Sequence, residues 1–138
     1  MPTSFDEYTE KCNQLEDKYK DFLSITYGFE IGSGWLPIIE DFLQKAYNYK
    51  DSVRIVQIKE KYGSLRIYTE HRLMDEDDWD SGLRDEEGYK MVEGLIQEAS
   101  FRARLTCCAC STEHNVNKKY AHSPYCESCY ESILSKRR

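Results

Sequence analysis

Two pairs of cysteines dominate the last third of this chain. Cys107 and Cys110 form one C-x₂-C, Cys126 and Cys129 form a second, and 15 residues lie between them. Thiolates three residues apart turn inward at a tight knuckle and supply two corners of a tetrahedron. A second pair supplies the other two, and the spacing fits the structural-zinc template. Four sulfurs close the coordination sphere and leave no position for a catalytic water. The expected cofactor is therefore one structural Zn²⁺ per chain, held by Cys107, Cys110, Cys126 and Cys129. Cys108 is an alternative to Cys107, and His114 and His122 lie in the intervening loop as alternatives to a cysteine.

Other uses of these cysteines fit less well. A dithiol redox site needs one C-x₂-C beside a βαβ pattern, which is absent. Structural disulfides need an oxidising compartment, and the N-terminus MPTSFDEYTEK has no basic-then-apolar export pattern. No run of apolar residues approaches the length of a membrane span. The expected setting is the cytoplasm, with no membrane partner.

The remainder of the 138 residues reads as α+β. Ser4 and Glu7 have capping-box spacing. Phe5, Tyr8, Cys12, Leu15, Tyr19 and Phe22 then recur at alternating spacings of three and four, which predicts a helix from Phe5 to Leu23. That stripe suits docking on the chain's own core or pairing with a second copy as a homodimer. A second helix is expected over Gly34–Tyr49, with Pro37 tolerable in its first turn. Val53–Lys59 and Leu65–Thr69 read as strands of an antiparallel hairpin turning at Lys61–Ser64, with Gly63 free to take positive φ. The hairpin gathers Lys59, Lys61 and Arg66, with Glu60 available to pair. A third helix is expected over Glu86–Leu105. The expected architecture is three helices on a small antiparallel sheet (residues 1–105), followed by a Cys₄ zinc-knuckle module (residues 106–138).

Charge is unevenly placed. The net charge is −6, yet residues 106–138 carry +2. Nine acids crowd Glu70–Gly88. Within them, Asp75, Glu76, Asp77, Asp78 and Asp80 are candidates for contact with a basic protein partner. Lys118, Lys119, Lys136, Arg137 and Arg138, joined by Arg102 and Arg104, are candidates for a local nucleic-acid face, on which Tyr120 and Tyr125 would stack. No G-x-S-x-G, H-E-x-x-H or Walker loop is present, so the expected function is non-enzymatic.

Two resemblances follow from these residues. Cys107 to Ser135, a knuckle, a loop and a knuckle at a helix start, resembles treble-clef and zinc-ribbon modules. Ser111 departs from the glycine such modules often carry after the first knuckle. More widely, GWLPIIEDFL, VRIVQIKEKYGSLRIY and the paired-cysteine tail resemble a group of small bacterial and bacteriophage proteins with a QVKEKFG-type hairpin. Ile58 and Tyr62 stand in its Val and Phe places, and the resemblance covers Gly34–Tyr68 and Cys107–Cys129. It implies a cytosolic, phage-related setting and no chemistry; in such a setting the simplest form of the expected protein-binding function is a phage-encoded inhibitor of a host defence factor.

Overall fold

The structure, a computed structural model, describes residues 5–25, 28–72, 79–80, 86–113, 116–117 and 123–137. Ser4, Asp75–Asp78, His114, Lys118, Lys119, Tyr120, His122 and Arg138 lie outside them. The described elements are, in chain order, α1 (Phe5–Lys18), β1 (Phe29–Glu30), α2 (Leu36–Ala46), β2 (Val53–Lys61), β3 (Ser64–Arg72), β4 (Trp79–Asp80), α3 (Glu86–Arg104), β5 (Val116–Asn117), β6 (Tyr125–Cys126) and α4 (Glu127–Arg137). The α+β class is as expected, and a 3₁₀ turn flanks α2 on each side.

The sheet is mixed rather than purely antiparallel. Its order is β1-β2-β3-β4, and β1 lies parallel to β2. The chain after α1 explains this. Leu23 bridges Ile55 in parallel, Ser24 N–H donates to Ile55 C=O at 2.7 Å, and Ile55 N–H donates to Phe22 C=O at 3.0 Å. These bonds cover the outer edge of β2, an edge that would otherwise offer unpaired N–H and C=O groups. They also end the first helix at Lys18 rather than at Leu23, because Leu23 and Ser24 are drawn into the sheet.

The predicted stripe of α1 turns into the chain's own core. Leu15, Tyr19 and Phe22 are buried, and Tyr8 and Cys12 pack against them. Tyr19 and Phe22 meet Tyr47 edge-on, with ring centroids at 5.2 and 5.9 Å, the geometry that the ring quadrupole favours. Beneath them α2 buries Leu36, Ile38, Ile39, Phe42, Leu43 and Ala46. The inner faces of β2 and β3 add Val53, Ile55, Ile58, Leu65 and Ile67, and α3 adds Val92, Ala99 and Ala103. Asp41 on α2 receives Lys45 at 3.1 Å and Arg102 of α3 at 3.0 Å. Arg102 is thus engaged between helices, and Arg104 stacks on Phe101.

β2 and β3 run longer than the sequence suggests and meet at a two-residue turn. Lys61 pairs with Ser64, and Tyr62 and Gly63 have φ of 53° and 80°. Two positive φ values mark the mirror-image turn whose twist matches a hairpin, and Asn-Gly is its favoured sequence. A tyrosine at the first position is strained by its Cβ. Tyr62→Asn is therefore expected to stabilise the fold by about 0.5–1 kcal/mol, read as a higher urea midpoint at unchanged slope. An unchanged or lower midpoint contradicts the turn assignment.

Candidate metal centre

The four predicted cysteines converge. The sulfurs of Cys107, Cys110, Cys126 and Cys129 all lie within 4.8 Å of one another. Cys110 and Cys126 are 3.7 Å apart. A tetrahedron with Zn–S near 2.3 Å places its sulfurs about 3.8 Å apart, whereas a disulfide needs about 2.05 Å. The spacing is that of ligands around a common ion, and all six cysteines are free thiols. The residues present fit a four-sulfur metal site.

Backbone N–H groups point at these sulfurs, as a thiolate requires. Burial pushes the Cys107 thiol up, but backbone hydrogen bonds from Cys126, Ala109 and Cys110 outweigh it and hold the group below its ordinary value. Cys129 N–H donates to Cys126 Sγ at 3.5 Å across the second knuckle. Cys129 falls in the first turn of α4, where the helix dipole favours negative charge. Burial, followed by the neighbouring cysteines, pushes Cys129 up. Cys110 also lies above its ordinary value, with burial again the largest cause. Thiols this close do not ionise independently, whereas a divalent cation deprotonates coordinating thiols outright.

Cys108 takes a different role from its neighbours. It is buried in the hydrophobic core, outside the four-sulfur group. Burial first, and Cys107 second, push its thiol up to about 12, while a hydrogen bond with Tyr125 opposes them. Its backbone is a structural joint: its N–H donates to Pro124 C=O at 2.9 Å and its C=O accepts Gly34 N–H at 2.8 Å.

That joint involves the entry to the second helix, whose contact with the knuckle sequence reasoning did not foresee. The segment Gly32–Trp35 runs against the first knuckle. Ser33 Oγ donates to Ala109 C=O at 3.2 Å, and the buried Trp35 indole N–H donates to Thr106 C=O at 3.0 Å. A Cβ on Gly34 would overlap the Cys107 carbonyl oxygen and stand 2.6 Å from Cys108 C, and one on Gly32 would overlap the Cys108 carbonyl oxygen. Both glycines are needed for close backbone approach, and Gly-x-Gly-Trp was the available signal. Ser111 answers the missing glycine of the knuckle. It sits at φ 71°, and its hydroxyl donates to Gly34 C=O at 2.7 Å. The hydroxyl offsets the backbone cost and ties the knuckle to the same segment.

Of the other sequence candidates, Lys136 and Arg137 fall in α4 and Asp80 in β4. Tyr125 is half-buried on β6 beside Cys108 and packs against the core, so it is not an open stacking platform.

Gly34→Ala must move backbone rather than a flexible side chain. It is expected to cost about 2 kcal/mol or more and to lower metal retention, read by denaturant melts and elemental analysis together. Cys126→Ser is expected to abolish metal binding, while Cys108→Ser keeps the metal at a cost in stability. Equal metal loss in both cysteine variants contradicts the ligand set.

No helix among the described residues is long and apolar enough to cross a membrane. A scan against protein-family models, a search of curated proteins and a search of solved structures found no significant match, so none of them supports the phage setting that the resemblance implies.

Proposed function

We propose that this chain is a zinc protein whose ion is structural and whose activity is binding rather than catalysis. The observation that carries the reading is the closed set of four sulfurs within 4.8 Å. An all-thiolate set favours a soft or borderline metal, and tetrahedral sulfur geometry suits zinc. Such an ion presents no open coordination position, so it shapes the chain around it. A basic protein partner meeting Asp75, Glu76, Asp77, Asp78 and Asp80 is the finer form of the reading, and inhibition of a host factor by a phage protein is one case of it. Its support is the charge of the sequence.

The zinc would fold what hydrophobic burial cannot. In the described part of residues 106–137 the buried residues sit at the two knuckles. Structural zinc supplies about 10–16 kcal/mol of apparent binding free energy, which here becomes folding free energy. The module is joined to the core through Thr106, Cys108, Ala109 and Ser111. Its loss is therefore felt at Trp35.

Elemental analysis of reduced protein is expected to give one zinc per chain. Chelation is expected to redden the emission of Trp35, followed in a Trp79→Phe background, and to lower the thermal midpoint by more than about 10 °C. The helices of residues 5–105 should largely persist by circular dichroism. Acidification acts in the same direction, since protons compete for the thiolates and weaken zinc affinity as pH falls. Absence of metal, or chelation that leaves Trp35 unmoved, contradicts the proposal.

A further inference from the structure

The hairpin's outer face carries three cations and, at its β1 edge, the carboxylate of Glu30. In the β2–β3 register Lys59 stands directly opposite Arg66, Lys61 opposite Ser64 and Gln57 opposite Tyr68. Like charges directly opposite one another destabilise a sheet. Glu60, which the sequence offers as their counter-charge, alternates to the other face. There it accepts a hydrogen bond from the Ser123 hydroxyl of the metal module. Arg54 and Glu70 satisfy each other at 2.6 Å. Glu30 lies beside Lys59 across the β1–β2 pair, and its carboxylate accepts Gln57 Nε2 at 3.4 Å. Among the described residues, Lys59, Lys61 and Arg66 make no ion pair.

Their neighbours are aromatic. Lys59 Nζ lies 5.9 Å from the centre of the Tyr68 ring, and Lys61 Nζ lies 5.7 Å from that of Tyr62. Tyr62 is 80 % exposed and Tyr68 is 42 % exposed. Tyr62 also occupies a turn position that suits asparagine better. Three cations interleaved with two open rings match a chain of alternating phosphates and flat bases.

We propose that this outer face of β2–β3 binds single-stranded nucleic acid, with Tyr62 and Tyr68 stacking on bases and Lys59, Lys61 and Arg66 meeting phosphates. An acidic peptide would satisfy the cations but leave the rings without flat partners. The net charge of −6 does not prevent local binding, because charges beyond about 10 Å are screened near 0.1 M salt. The face goes beyond the metal reading, and the contact of the hairpin with the metal module through Glu60 and Ser123 lies on the opposite face, so zinc content measured on every variant separates the failure of one from the failure of the other.

The test is fluorescence anisotropy of the zinc-loaded full chain with labelled mixed-sequence DNA and RNA single strands of about 12 nucleotides. Titrations run between about 50 and 200 mM salt. The expected result is saturable binding with a log–log salt slope of about −2, the value for three phosphates on a single strand. Lys59→Gln with Arg66→Gln should flatten that slope. Tyr62→Asn should weaken binding about 5-fold or more while raising the thermal midpoint, an opposition that misfolding cannot produce. No anisotropy change at micromolar protein overturns the proposal. So does equal competition by polyglutamate with no dependence on Tyr62. So does loss of binding on removing residues 136–138 while the hairpin variants bind normally.

Discussion

The carbonyl of Cys107 stands where any side chain on Gly34 would have to be. That contact fixes the rest of the arrangement. It lets the backbone of the first knuckle lie directly on the turn that starts α2. Gly34 N–H then reaches Cys108 C=O, Ser111 reaches back to Gly34 C=O, and Trp35 reaches Thr106 C=O. None of these bonds needs a long flexible side chain, so little conformational entropy is lost in making them. With the first knuckle held, α4 and the second knuckle have a defined place to complete the sulfur cluster.

The sulfur cluster and the core are consequently interdependent. Cys108 is the hinge of that dependence, with its side chain among core residues and its backbone neighbours on the ligand side. Strand alternation places Glu60 on the face that meets the metal module, where its carboxylate accepts the Ser123 hydroxyl. Packing and surface chemistry are linked by the simple alternation of side chains along a strand.

Much of this was legible in the sequence where residue type and spacing carry a physical requirement. Paired cysteines three apart have few uses, and four of them specified which sulfurs converge. The α2 face and the hairpin followed from periodicity and from the β-branched run Val53–Ile58. Other features were hidden because they depend on partners distant in the chain. The parallel pairing of Leu23 and Phe29 with β2 involves segments too short to show a period. Glu60 looked free to neutralise Lys59 and Lys61, yet alternation across a strand places neighbours in sequence on opposite faces. The need for glycine at positions 32 and 34 was not visible locally. Their actual constraint is a backbone more than 70 residues away, and the adjoining Trp35 gave only a hint of burial.

The central claim concerns four sulfurs around one ion, and X-ray absorption at the zinc edge addresses it most directly. For reduced, untagged protein loaded at one equivalent, the account predicts a first shell of four sulfurs near 2.3 Å with no nitrogen or oxygen neighbour. A mixed shell containing imidazole or water would contradict it, as would protein that retains no zinc because its cysteines pair with one another.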